Sequence, residues 1–318
     1  MQFVQPYFWN SKNKIYILWC LALYPLSAII QILFYIKKFF TKVKLQHKIC
    51  VICVGNIYIG GTGKTPLAIK INEILNKKYL KPIIIKKFYK DQEDEVSLIK
   101  SKTKNLIVNK SRAKALGLAL KKRFNIAILD DGLQDTSIEK QIKIICFGNQ
   151  WIGNGWTIPS GPLREPLSSI AGANIAIINN SKGHPNKNYE LSIKAVDPKI
   201  KIFYSKYDPD PKVIKKFKNK KVLAFAGIGN PKNFFNLLTK NNVQLMEQIS
   251  FPDHYMYSKE ELLNLINKAN DNKLDIVTTE KDYFRIKKYG FKQINFIPVL
   301  LTINKEKNLI NELEKLIR

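Results

Sequence analysis

A glycine-rich stretch closed by lysine and threonine, GNIYIGGTGKTP from Gly55 to Pro66, is the part of this chain whose residue types point most directly to chemistry. An apolar run of strand length, ICVICV (49–54), precedes it, and an apolar helix-like segment follows. Strand, glycine-rich turn, Gly-Lys-Thr and helix together are the context a phosphate-binding loop requires. In such a loop the backbone of Gly55, Asn56, Ile57, Tyr58, Ile59, Gly60, Gly61, Thr62 and Gly63 wraps the phosphates, and its N–H groups and the helix N-terminus point at phosphate oxygens. Lys64 reaches the outer phosphates and the Thr65 hydroxyl ligates Mg²⁺. The strict pattern wants glycine at position 58, where Tyr58 stands. The run NIAILD ends in Asp130 and Asp131 followed by Gly132, at the C-terminal end of an expected parallel strand, where ligands of α/β proteins bind. One of these aspartates is expected to hold Mg²⁺, directly or through water.

Two P-loop classes can be tested against the sequence. A GTPase would carry an N-K-x-D motif and a D-x-x-G switch. TEKD (Thr279 to Asp282) lacks the asparagine-lysine pair, and the fourth position from Asp130 is Leu133. A membrane-cycling ATPase of the deviant-loop type would have lysine before the double glycine, where Ile59 stands. Both switch readings weaken accordingly, and the expected ligands at the loop are a nucleotide and Mg²⁺.

Short apolar runs must position these groups. ICVICV (49–54), PIIIK (82–86), NIAILD (125–130), IKIICF (142–147) and NIAIIN (174–179) alternate with helical stretches, which predicts βαβ units and a parallel sheet covered on both faces. A second set, KVLAFAG (221–227), a helix near 231–240, KLDIVTT (273–279) and INFIPV (294–299), follows the polar segment 205–220. Apolar residues at Leu309, Ile310, Leu313, Leu316 and Ile317 give a terminal helical face. The predicted organisation is a hydrophobic anchor at 1–44, a P-loop-type nucleotide domain at 45–205, a smaller α/β domain at 206–304 and a C-terminal helix at 305–318.

Between Ile15 and Ile36 no residue is charged, and the run is long enough to cross a bilayer core. Pro25, Ser27 and Gln31 interrupt it, while Tyr16, Trp19, Tyr24 and Tyr35 suit a membrane interface. Lys37, Lys38, Lys42 and Lys44 follow, with no small-residue cleavage site, so the segment is expected to be retained as a spanning or interfacial anchor with its C-terminal side toward the cytoplasm. A core helix of a soluble domain is the plainer alternative. Elsewhere 53 Lys+Arg stand against 25 Asp+Glu, a net +28 that suits an anionic membrane surface, a phosphorylated substrate or a nucleic acid. Abundant lysine, isoleucine and asparagine point to A/T-rich codon usage as part of that charge. Four cysteines, Cys20, Cys50, Cys53 and Cys146, are too few for a disulfide framework and fit a reducing cytoplasm.

The ordered motifs GNIYIGGTGKTP, DDGLQ from Asp130, NGWTIPSGPLREP from Asn154, AGIGNP from Ala226, FPDH from Phe251 and TEKD from Thr279 resemble the tetraacyldisaccharide 4'-kinases of lipid A synthesis over nearly the whole chain. The resemblance implies an enzyme of the inner membrane's cytoplasmic face that moves the γ-phosphoryl of ATP to the 4'-hydroxyl of a tetraacylated glucosamine disaccharide 1-phosphate. It implies no nucleic acid and no obligate protein partner. A regulatory membrane-associated P-loop ATPase without a lipid acceptor is the alternative. The family's S-R-G-Y-G-G segment is reduced here to KKFYK from Lys86, with Tyr89 retained and EDEV following almost at once from Glu93. Asp135 replaces the family histidine after D-D-G-x-Q.

By the same resemblance Asp94 and His254 are the catalytic pair, with acidic neighbours expected to raise the Asp94 pKa toward that of a usable base. As they fall in different predicted domains, they are expected to meet only on closure. Arg112 and Arg164 are candidates to clamp a phosphate, being two of only five arginines, with an ion pair such as Arg164 to Glu165 as the structural alternative.

Overall fold

A computed structural model describes residues 6–10, 13–40, 48–78, 80–89, 92–179 and 186–318; Lys42, Lys44, His47, His184 and residues 90–91 of the shortened segment lie outside them. In chain order the elements are α1 (Lys14–Phe40), β1 (Cys50–Gly55), α2 (Lys64–Lys77), β2 (Pro82–Lys87), α3 (Glu93–Lys102), β3 (Leu106–Asn109), α4 (Arg112–Lys121), β4 (Ile126–Asp130), β5 (Ile142–Phe147), β6 (Ile175–Asn179), α5 (Lys187–Val196) and β7 (Lys201–Pro209). They continue with the single turn α6 (Pro211–Ile214), β8 (Lys221–Ala226), α7 (Pro231–Lys240), β9 (Gln244–Ser250), α8 (Lys259–Asp271), β10 (Asp275–Thr279), α9 (Glu280–Ile286), β11 (Asn295–Ile297), β12 (Val299–Ile303) and α10 (Glu306–Ile317).

The chain forms two compact units, a larger one of residues 5–88, 105–206 and 303–318 and a smaller one containing 89–104 and 207–302. In the larger unit the strand order is β7-β6-β5-β1-β4-β2-β3. Every neighbouring pair from β7 to β3 is parallel. The central strands are apolar on both faces because helices cover both, and Val51, Ile52, Cys53 and Val54 are completely buried. Cys50 and Cys53 carry free thiols, and burial pushes the Cys53 thiol up to about 11, so it stays protonated and serves as a small core residue. Helix α10 buries Leu309 and Leu313 and is tied to α2 by Lys70–Glu306 (3.1 Å) and Lys78–Glu314 (2.9 Å) pairs.

Helix α1 also belongs to the larger unit and runs unbroken through Pro25. Its one polar seam is turned inward onto the 154–160 loop. Ser27 Oγ donates to Ser160 Oγ (2.8 Å) and accepts from Ser160 N (3.0 Å), Gln31 Nε2 donates to Thr157 Oγ1 (2.7 Å), and Tyr24 meets Trp156 edge to face. Much of the remaining described surface is apolar and exposed, with Leu18 64% and Phe39 86% exposed. Among the described residues it is the one helix long and apolar enough to cross a membrane.

The smaller unit carries a parallel sheet in the order β11-β10-β8-β9. Pro231 starts α7 and a reciprocal Ser258–Glu261 capping box starts α8. Leu223, Phe225, Leu262 and Ile266 fill one face of the sheet, while Val222, Ala224, Phe234, Phe235 and Leu238 fill the other. Helix α3, which follows β2 in sequence, packs in this unit against α9. Strand β7 reaches into the start of the polar stretch 205–220, as far as Pro209, and its residues, mostly half-buried or exposed, form no continuous apolar run.

Candidate active site

In the larger unit, β1 delivers the chain into the glycine-rich loop and α2 begins at Lys64. Gly60 (φ 120) and Gly63 (φ 93) occupy the left-handed conformations that let the loop fold back. Tyr58 needs no such freedom. Its side chain is buried with Ile57, Phe147, Trp151 and Leu163, and it bridges to Leu163. Asn56 is buried beneath the loop and its Nδ2 donates to Tyr58 O (2.7 Å) and Thr62 Oγ1 (2.9 Å). A second segment clamps the outside, with Ile59 N donating to Pro162 O (2.8 Å) and Arg164 N to Ile57 O (2.7 Å). The loop is therefore a rigid cradle made largely of backbone. Gly55 is fixed by packing, since a Cβ there would lie 2.5 Å from that of Leu133.

Asp130 ends β4 beside the start of α2. Its Oδ2 accepts from Thr65 Oγ1 (2.9 Å) and from the buried Lys86 Nζ (2.8 Å), while Oδ1 is buried and has no hydrogen-bond partner among the described residues. Asp131, held at φ 55, lies 3.7 Å from Lys64 Nζ and 3.4 Å from Arg164 Nη1. Burial would raise the Asp131 pKa, but the cations Lys64, Arg164 and Lys86 together bring it below the usual value. Among the described residues no three His, Cys, Asp or Glu converge as a metal cluster. The donor set still fits Mg²⁺, which favours hard oxygens and commonly uses one or two carboxylates together with phosphate oxygens and water. The Thr65 hydroxyl donates to Asp130 and is itself a hard oxygen, and the buried Asp130 Oδ1 supplies a second.

Arg112 is buried, and it holds the aspartate loop from behind. Its Nη2 donates to the carbonyls of Asp131 (2.6 Å) and Asp130 (3.4 Å), and Nη1 to Asp135 Oδ2 (3.2 Å). Asp135 is thus the partner that fixes Arg112. Arg164 pairs with Asp131 rather than Glu165, because Glu165 is taken by Gln134 Nε2 at 2.9 Å. Tyr89 is 41% exposed at the start of the smaller unit's first segment.

The smaller unit brings Asp94 and His254 together. Asp94, on α3, is 5% exposed, and its Oδ2 lies 3.5 Å from His254 Nδ1. Both residues belong to one unit, so the sequence expectation that they meet only on closure is replaced by a pair already assembled within it. The expectation of a raised Asp94 pKa is also corrected. Burial acts upward, but hydrogen bonding to His254 and the nearby cations Lys281 and Arg285 hold the carboxyl well below the carboxylate range. His254 sits at φ 58, a conformation that costs energy for a non-glycine residue and that clusters at functional positions. Its backbone N–H donates to Gly227 O (3.2 Å) and Asp253 Oδ1 (3.0 Å).

Lys86, Lys281 and Arg285 were not singled out from sequence. Arg285 carried the same signal as Arg112 and Arg164, a rare arginine beside a motif, here three residues after TEKD. Lys86 carried none, since lysine is everywhere in this chain.

The chain can be set beside known proteins at this point. The family described as Tetraacyldisaccharide-1-P 4'-kinase matches residues 19–318. A tetraacyldisaccharide 4'-kinase of Pelagibacter ubique is 42% identical, with 99% of each chain covered, and one of Rickettsia bellii is 33% identical, with 90% of each covered. The crystal structure of LpxK from Aquifex aeolicus in complex with ATP shares the fold at a TM-score of 0.69 and 22% identity, covering 94% of this chain and 99% of that one. With a family match across nearly its full length and relatives this similar end to end, the chain belongs to the tetraacyldisaccharide 4'-kinase family.

Proposed function

We propose that this chain transfers the γ-phosphoryl group of ATP to the 4'-hydroxyl of a tetraacylated glucosamine disaccharide 1-phosphate. The observation that carries the reading is the cradle itself: Lys64 and Thr65 open a helix, with Asp130 within hydrogen-bond reach of the threonine. Loop N–H groups and Lys64 hold the phosphates and stabilise the charge that spreads over the transferring group, and these two effects carry most of the catalysis in this reaction class. Thr65 and Asp130, with Asp131 beside them, are the residues that would hold Mg²⁺. When bound, the ion supplies charge neutralisation between the β- and γ-phosphates. Arg164 stands beside Asp131 and is the cation available to a phosphate; Arg112 keeps the aspartate loop in place.

Asp94 and His254 accept the acceptor's proton. A sugar hydroxyl is a poor nucleophile, and a carboxylate within hydrogen-bond reach lets its proton leave as the oxygen bonds to phosphorus and ADP departs. Because Asp94 stays ionised at every physiological pH, it is always in the accepting form, and His254 beside it shares the proton.

The exposed apolar surface of α1 is the anchor, placed against the cytoplasmic face of the inner membrane. Full burial of one large apolar side chain is worth about 1.5–3 kcal/mol, and α1 offers many. Its inward seam joins the anchor to the 154–160 loop, four residues ahead of Arg164. Removing residues 1–44 should lower recovery with membranes and activity on vesicle-borne lipid. A truncated protein that pellets fully with vesicles would show that another surface does the anchoring.

The deciding experiment follows the γ-phosphate. Incubation with γ-labelled Mg-ATP and the disaccharide monophosphate lipid should yield a labelled bisphosphorylated lipid. Release of free phosphate alone would leave a regulatory ATPase, a reading that family membership does not favour.

A further inference from the structure

Two motifs, AGIGNP and TEKD, lie outside the glycine-rich loop, yet both lead to the same side chain. Arg285 is 6% exposed at its side chain, on α9. Its Nε (3.0 Å) and Nη2 (2.6 Å) both donate to a single oxygen, Asp94 Oδ2. The third nitrogen, Nη1, donates to Asp282 Oδ1 (2.6 Å) and to Gly227 O (2.6 Å). Asp282 is completely buried and held by Thr279 Oγ1 (2.7 Å), Tyr257 OH (3.1 Å) and Gly227 N (3.0 Å). Position 227 has no room for a side chain, since a Cβ would lie 2.7 Å from Tyr257 OH and 3.2 Å from Asp282 Oδ1.

The consequence is asymmetry in the Asp94 carboxylate. Oδ2 is occupied by the guanidinium fork, with Lys281 Nζ 3.6 Å and His254 Nδ1 3.5 Å away, whereas Oδ1 is buried with no hydrogen-bond partner among the described residues. A carboxylate can turn about its last torsion, and two bonds to one oxygen from a planar fork fix that torsion as a single ammonium could not. We infer that Arg285, braced by Asp282, Thr279 and Gly227, is a positioning residue for the kinase reaction: it locks Asp94 so that Oδ1 is the oxygen presented to the acceptor hydroxyl. The proton leaves the hydroxyl for Oδ1 as the hydroxyl oxygen bonds to the γ-phosphorus and the bond to ADP breaks. This rests on Asp94 being the proton acceptor. It gives TEKD and AGIGNP a task that binding does not: together they hold the arginine that holds the base.

Three variants of the full-length enzyme, assayed with Mg-ATP and the disaccharide monophosphate lipid, test this. Arg285→Gln should lower kcat by about 10²-fold, the scale of loss that misplacing a reacting group by 1 Å produces, and leave the KM for ATP within about twofold. Arg285→Lys should not restore kcat, because it returns charge without the fork. The discriminating variant is Asp94→Asn with Arg285→Gln. If Arg285 acts through Asp94, the double variant turns over no more slowly than Asp94→Asn alone. Losses that multiply, full rescue by lysine, or a near-normal kcat in Arg285→Gln would overturn the inference. If instead Asp94→Asn itself keeps its rate, the assignment of the base fails first, and the two failures are told apart by that single variant.

Discussion

The cradle around Lys64 and the cluster around Asp94 solve different problems with different materials. The cradle is drawn from consecutive residues and built mostly of backbone: N–H groups, two left-handed glycines and an asparagine that bonds the loop to itself. The Asp94 cluster is drawn from α3, the loop after β8, the segment after β9 and α9, and is built of side chains, with Arg285 and Lys281 placed against Asp94, Glu95 and Asp253. A site made of backbone tolerates changes in side chain, which is why Tyr58 can stand where the common pattern has glycine. A site made of buried charges does not, because removing one partner leaves the other unpaired at a cost of about 3–5 kcal/mol.

The largest expected effect is on the cradle's one indispensable side chain. Lys64→Ala should reduce phosphoryl transfer by roughly 10³–10⁵-fold, with weakened ATP binding, the scale of losing a cation from the transferring phosphoryl group. Wild-type turnover in that variant would mean that the nucleotide binds elsewhere. Next come Asp94→Asn and His254→Ala, each expected to lower kcat by about 10²–10⁴-fold with ATP affinity nearly unchanged. The pair combined should be little worse than the poorer single variant. Independent, multiplying losses would assign the two residues separate roles.

The comparison also explains what could be read from sequence. The cradle, the D-D-G strand end and most of the parallel strands were legible because their signals are local: apolar runs of strand length and glycines before Lys64. Strands β3, β9 and β12 gave little signal because they are short or only partly buried, as in QLMEQIS of β9, and β7 because charged and half-buried residues break its apolar run. The Asp94–His254 pair was reached through the family resemblance alone, since nothing local links residues 160 positions apart. Its electrostatics came out reversed. Glu93 and Glu95 are visible next to Asp94 in sequence, whereas Lys281 and Arg285 reach it only through the packing of α9 on α3.

A smaller effect concerns stability. The Asp94 pKa is lower folded than unfolded, where it is about 3.9, so its ion network contributes stability that is fully present above that value and is lost as pH falls through the folded one. The gap in urea midpoint between wild type and Asp94→Asn should be constant from pH 5 to 7 and should narrow as pH is lowered below about 4. A gap that widens with acid would contradict the sign. The smallest effect should come from the cradle's side chains that contribute only backbone. Ile59 uses its N–H to bind Pro162 O, so Ile59→Ala should keep kcat and the KM for ATP within about twofold. A large loss would mean that this part of the loop is not built of backbone.

The separation of the two sites is tested most directly by measuring equilibrium ATP binding and single-turnover phosphoryl transfer to the lipid acceptor side by side in wild type, Lys64→Ala and Asp94→Asn. Lys64→Ala should lose both, whereas Asp94→Asn should bind ATP within about twofold of wild type and transfer at least about 10²-fold more slowly. If Asp94→Asn instead weakens ATP binding in step with its loss of transfer, or transfers at the wild-type rate, Asp94 is not a proton acceptor acting apart from the phosphate cradle.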